Sequence, residues 1–384
     1  METLKTITPV HIGSGKSIWA IKMNDYLYSV DKVIEFNLNS MNQIQLNNLK
    51  FISSNNVSKQ DFFRIMNINK FNLPDSAILY GKNYAKYVID VNKDLFFNQR
   101  TLDKLIIPGS SIKGLINNLF WYYIVNESQE IKNEMIKAII EQNRKNAMNE
   151  RNGYRPNDKT FSKTINDFNN VIKNLQSFLR IRDVIIEDEP MVYTVNRYNS
   201  KNEKMPVGNI ETIPANIIVK QEIICELNEQ EKKLMEKVIN EIKNNDRNYN
   251  RIKDILLKSY YNFLCNIKSI LPTINKAFMK EILNQEIEFI KSSGNNLDKP
   301  ELLSIYSNLQ KELDKGNFIV QIGKFTNYLD KTYMFALEEV YKNNFKDIFK
   351  PNPKKKHQNI ESMNLIPVNN SFVPLGFIEI ELWF

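Results

Sequence analysis

Apolar residues recur every three or four positions at Ile112, Leu115, Ile116, Leu119, Phe120, Tyr123 and Ile124, a spacing that predicts an amphipathic helix with one apolar stripe. Before it, Ile106 to Gly109 reads as a strand end and a Pro-Gly turn. Ser110 or Ser111 is placed to accept a hydrogen bond from the helix's first free N–H groups. The polar stretch from Glu127 to Ser177 predicts a helical insertion. Beyond Leu227, the segments NEQEKKLMEKVINEIK, RIKDILLKSYYNFLCNI and INKAFMKEILNQEIEFI carry helix-spaced apolar residues and strong helix formers.

Alternation of period two predicts strands in the opening METLKTITP, in FLRIRDVIIED (Phe178 to Asp188), in MVYTVNRY and in the long stretch after ETIP (Glu211 to Pro214). It does so again from Phe318 to Ile322, and in the closing VPLGFIEIELWF, which reads as an edge or terminal strand. Strand-rich segments around a helix, with a second helical block after them, predict an α+β fold with helices on one face of a sheet.

Glycines punctuate this pattern. Gly13, Ser14, Gly15 and Lys16 form part of a GSGKS loop that a phosphate-binding loop would extend to G-x-x-x-x-G-K-[ST]; the position five before Gly15 is Val10, so that motif fails. A strand, glycine turn, strand arrangement remains, an ordinary hairpin turn or a place where backbone approaches another chain closely. RKNAMNERNGYRPNDK (Arg144 to Lys159) holds little that could be buried and reads as an exposed segment.

Composition narrows the function classes. The 384 residues are 42% hydrophobic and 25% charged, enough for two ordinary domains, here expected at 1–226, with the insertion at about 127–177, and at 227–384. Fifty-two Lys and Arg against 44 Asp and Glu give a net charge of +8, which suits an anionic partner and nucleic acid first. Two cysteines, Cys225 and Cys265, and no signal-like opening segment point to a reducing cytoplasm. Apolar runs too short for a bilayer and the absence of a clustered metal-ligand spacing lead us to expect no membrane, no metal and no cofactor.

The chemistry legible in the chain is a grip rather than a reaction. A helix start bearing Lys113 and the small Gly114, with N–H groups and positive dipole, is a phosphate seat; the plainer reading is a core helix whose Gly114 lets another element pack close. Lys331 and Thr332 open a second candidate seat behind Gly323 and Lys324. His11 and His357 are the only histidines, and Asp183, Asp188 and Glu211, bordering strands, read as structural before catalytic. Glycine turns, helix starts and cations with Tyr and Phe nearby grip a phosphodiester backbone and stack bases.

Taken in order, TPVHIGSG (Thr8 to Gly15), IPGSSIKG (Ile107 to Gly114), RIRD (Arg180 to Asp183), ETIP, the IGK and DKT ends of the late loop (Ile322 to Thr332) and PLGF (Pro374 to Phe377) resemble the RAMP proteins of type III CRISPR effector complexes. Among these the likeness is greatest to the type III-A (Csm) subunit that caps the crRNA 3′ end. The resemblance implies two ferredoxin-like, RRM-like domains, the second degenerate. It also implies a non-catalytic subunit that holds the 3′ part of crRNA, supports its maturation, and touches the adjacent RAMP backbone subunit and the small subunit, with target RNA and a host nuclease as further partners. By this carry-over His11, Gly13, Gly15, Ser110, Ser111, Lys113 and Gly114 become RNA-facing candidates, and Ser14, Lys16, Arg180, Arg182, Lys324 and Lys331 complete the expected RNA-binding set. The family's KGALR has Asn117 in place of its arginine, and the G-x-G-x-G loop keeps Gly323 but has Phe325 and Asn327 at the other positions. Two rival readings are a stand-alone, metal-independent ribonuclease trimming crRNA, motivated by His11, and an interior, repeated RAMP backbone subunit.

Overall fold

The structure is a computed structural model, and it describes residues 2–13, 26–28, 33–35, 95–101, 104–152, 159–199, 204–293, 299–324, 326, 362–368 and 371–381. In chain order its elements are β1 (Glu2–Thr6), β2 (Tyr26–Tyr28), β3 (Val33–Glu35), β4 (Leu95–Phe96), β5 (Arg100–Thr101), β6 (Lys104–Ile107), α1 (Gly109–Glu127), α2 (Gln129–Arg151) and α3 (Thr160–Ile172). Then come β7 (Arg180–Ile181), β8 (Val184–Ile186), β9 (Met191–Asn199), β10 (Lys204–Thr212), β11 (Ile218–Gln221), β12 (Ile224–Cys225) and the helices α4 (Glu229–Asn245), α5 (Arg251–Cys265), α6 (Ile267–Ser292) and α7 (Lys299–Asp314). The last strands are β13 (Phe318–Gln321), β14 (Ser362–Val368), β15 (Ser371–Pro374) and β16 (Phe377–Glu381).

The result is an α+β architecture. One sheet has the order β11-β1-β16-β13, and a second β15-β14-β9-β10-β4. Residue 4 pairs with residue 380, and every neighbouring pair in the first sheet is antiparallel. The one parallel pair among the described strands is β10 with β4. The first sheet draws strands from both sides of residue 226, and its centre includes β16. Of the two readings of the closing alternation, terminal strand and edge strand, the second fails: β16 is the last described strand in the chain, but in the sheet it is flanked by β1 and β13, and alternation reports burial of a face, not place in a sheet.

Helix α1 is the hub of the core. Beyond the expected stripe it also buries Trp121, Tyr122 and Val125, so apolar surface covers it almost all round, as suits a helix enclosed by others. Phe120 stands edge-on to Tyr260 with ring centroids 4.7 Å apart and lies 5.3 Å from Phe263, both on α5; Tyr122 meets Phe278 of α6 at 5.3 Å. Each such side chain contributes about 1.5–3 kcal/mol by leaving water. The insertion is helical as expected, in α2 and α3, and Arg144 to Arg151, read as an exposed loop, forms the last two turns of α2 instead. FLRIRDVIIED is divided among a 3-10 turn (Gln176–Phe178), β7 and β8 rather than forming one strand: β7 pairs with β12, and β8 with β6.

Candidate nucleic-acid interface

Four of the sequence motifs meet at one junction, where the chain passes from one sheet to the other. Val10 bridges Ile213; the Thr6 hydroxyl donates to the Pro214 carbonyl at 2.7 Å; and the Phe377 N–H donates to the Thr8 hydroxyl at 2.9 Å. The Gly376 N–H donates to the Pro9 carbonyl, and the Ile322 N–H to the Gly376 carbonyl. Gly323 (φ 113°) and Gly376 (φ 87°) occupy the left-handed region, and a Cβ on either would run into a backbone oxygen, of His11 and Ile322 respectively. TPVHIG, ETIP, IGK and PLGF are thus parts of one crossing point, brought together from residues 8 to 377.

Buried polar groups lock that junction. The His11 imidazole is 1% exposed, and its Nδ1–H donates to the Glu211 main-chain oxygen at 2.7 Å, which fixes the tautomer. Burial pulls its pKa down to about 4, with the Lys324 charge adding to the effect, so the ring is neutral at physiological pH. The Glu211 carboxylate accepts the Asn98 N–H at 2.9 Å and pairs with the Arg100 guanidinium. Burial pushes this carboxyl above its ordinary range against the pull of Arg100 and Asn98. Asn98 Oδ1 in turn accepts the Ile12 N–H at 2.6 Å, and Gly13 bridges Asn98.

Outside this lock lies a cation on an aromatic ring. Lys324 is exposed, its main-chain N–H bound to the His11 carbonyl at 3.0 Å, and its ammonium sits 4.9 Å from the centroid of the half-buried Phe96 ring. Gly13 backs the same side chain, since a Cβ there would lie 3.0 Å from Lys324 Cδ. His11, expected to face RNA, is the buried member of the set; its ring is taken up by the protein. Phe96 and Asn98 escaped the sequence reading because the strand holding Phe96 is two residues long and Asn98 makes only an isolated bridge beyond it, so neither carries usable periodicity.

The second group of motifs meets at the start of α1. Pro108 occupies the N-cap position with no side-chain cap, so neither Ser110 nor Ser111 caps the helix as expected. The Gly109 N–H is satisfied instead by Asp183 Oδ1 at 2.7 Å, across from the RIRD turn. Gly109, not Gly114, provides the close approach: a Cβ on Gly109 would collide with the Ile181 carbonyl, whereas one on Gly114 would meet nothing within 4 Å. Ser110 and Gly114 are exposed and Ser111 and Lys113 half-buried, which leaves the first turn open on one side. Lys113 Nζ donates to the Gln176 carbonyl at 2.7 Å, and burial lowers its pKa.

Arg180 and Arg182 are exposed, each in an ion pair: Arg180 with Glu231 at 2.8 Å and Arg182 with Glu222 at 2.6 Å. Asn117, standing where the family arginine is expected, accepts the Tyr260 hydroxyl at 3.1 Å. Ser14, Gly15, Lys16, Phe325, Asn327, Lys331, Thr332 and His357 lie outside the described residues. Among the described residues no group of three His, Cys, Asp or Glu side chains could hold a metal ion, and no helix is long and apolar enough to cross a membrane.

The described residues form an α+β fold with two junctions where distant sequence motifs meet, one beside Lys324 and one beside Lys113. The sequence model of the RAMP superfamily matches residues 3–361, and the chain belongs to that superfamily. Its fold is shared with a chain of the cryo-EM structure of a Csm–crRNA–target RNA ternary complex of a type III-A CRISPR-Cas system, at a TM-score of 0.61, 14% identity and 99% coverage of both chains. It is shared too with the crystal structure of T. onnurineus Csm5, at a TM-score of 0.57 and 15% identity over 98% of this chain and 99% of that one. No curated protein matches the sequence.

Proposed function

We propose that this chain is a non-catalytic crRNA-binding subunit of a type III-A Csm effector complex, capping the 3′ part of the crRNA and supporting its maturation. The observation that carries the reading is the gathering of motifs distant in sequence into two junctions, with Lys324 over Phe96 beside Gly13 at one and the open first turn of α1 at the other. Such groups hold phosphates and stack bases without reading sequence. The fold shared from end to end with Csm subunits supports the assembly, with an adjacent RAMP backbone subunit and the small subunit as neighbours and two RRM-like halves as its plan. A general base must reach the proton it abstracts, and the buried His11 has no such reach, which favours a binding role over a nuclease.

Reconstituted complexes test this. Lys113→Glu replaces a cation at the α1 start and shortens the protected 3′ end of the crRNA while the purified variant still melts cooperatively. Unchanged RNA length and affinity sink the proposal. Labelled RNA cut by the isolated protein without metal indicates the nuclease instead, and several copies per complex indicate a backbone subunit.

A further inference from the structure

We propose that Glu211 is the positioning residue of the RNA-facing surface, setting Lys324 and the Gly13 backbone in register through both of its polar ends; this rests on the reading of that surface given above. Its main-chain oxygen takes the His11 Nδ1–H at 2.7 Å, and the His11 carbonyl takes the Lys324 N–H at 3.0 Å. Its carboxylate takes the Asn98 N–H at 2.9 Å and the Arg100 guanidinium. Asn98 holds the Ile12 N–H, and Phe96, two residues before it, supplies the ring under the Lys324 ammonium. The segment of His11 and Gly13 and the segment of Phe96 and Asn98 are therefore tied to the same residue, and both flank Lys324.

Glu211 is 3% exposed and cannot itself touch a nucleotide. A carboxylate is a costly choice for a buried site, and apolar groups of similar size would pack there at less expense in desolvation. What it supplies is direction. A hydrogen-bonded ion pair fixes how far the 95–101 segment slides along the 8–13 segment, and hence where the ammonium is aimed. Nothing in the phosphate-contact chemistry of Lys324 requires that pair; the aim of the contact does.

The test is a double-mutant cycle on binding of a fluorescein-labelled single-stranded RNA, with the sequence of a crRNA 3′ segment, to the full chain over a range of salt. Glu211→Gln keeps an acceptor for the Asn98 N–H and removes the charge that holds Arg100. It weakens binding about tenfold and lowers the salt slope by about one, as Lys324→Ala does, and adding it to Lys324→Ala changes neither further. A role in stability alone would leave the salt slope of the folded variant unchanged. A loss on Lys324→Ala that Glu211→Gln neither reproduces nor masks overturns the positioning role alone, while indifference to Lys324→Ala overturns the interface itself. Should Glu211→Gln fail to fold, Arg100→Gln, at the more accessible end of the pair, decides by the same pattern.

Discussion

The Asp183 carboxylate accepts the Gly109 N–H at 2.7 Å, so the positive end of the central helix is met by an anion of the protein's own chain. Asp183→Ala removes that partner and lowers stability by about 0.5–2 kcal/mol, seen as a lower urea midpoint with an unchanged slope. An unchanged midpoint would mean that water replaces the carboxylate without loss.

The two glycines near the start of α1 separate packing from binding. Gly109→Ala forces a Cβ into the Ile181 carbonyl and destabilises by about 1–3 kcal/mol. Gly114→Ala has open space and gains roughly 0.5–1 kcal/mol of helix propensity, so its thermal midpoint rises. If RNA lies against the open turn, Gly114→Ala binds RNA more weakly although it is the more stable protein. Weaker binding paired with lower stability would refute that separation.

Acid sensitivity follows from His11. Its folded pKa, about 4, lies below the ordinary value of 6.5, so between those values the unfolded chain binds more protons and stability falls as pH falls. Stability from this group is complete above pH 6.5 and declines toward pH 4, by roughly 3 kcal/mol in the limit. A His11→Gln variant lacks the titration, while Glu211, whose raised carboxyl pKa slopes the opposite way, is common to both proteins. Urea midpoints at pH 7 and pH 4.5 therefore converge between wild type and variant, and parallel midpoints would contradict the assignment.

Asn117 tests the resemblance where it departs from the family pattern. Asn117→Arg does not restore a phosphate contact, because the position is joined to the largely buried Tyr260 hydroxyl. It leaves that hydroxyl unsatisfied and lowers stability by about 1–3 kcal/mol without tightening RNA. Tighter binding in the anisotropy assay would show that the arginine reaches the ligand after all.

The helices were legible because their periodicity is long: α4, α5 and α6 fall on segments whose apolar spacing announces them. The central helix followed from the same signal, and the α+β class from that signal together with the period-two alternation of the strands. Illegible were the strand partners. Nothing local in Leu4 specifies Ile380, and nothing in Asn98 specifies Glu211, since both contacts join residues far apart in the chain. For the candidate site, the motifs marked stretches that the fold brings together, but not what each residue in them touches. His11 and Gly109 serve the interior, Lys113 is tied to a carbonyl, and the aromatic partner of Lys324 lies in a two-residue strand that no pattern flags.

The pairing of β1 with β16 also sets a timetable. Residues 2–6 wait for residues 377–381 before their sheet is whole, so a nascent chain carries an unfilled edge while everything between the two strands is made. A chain released before β16 is made leaves that edge of β1 open, and an open edge invites wrong neighbours.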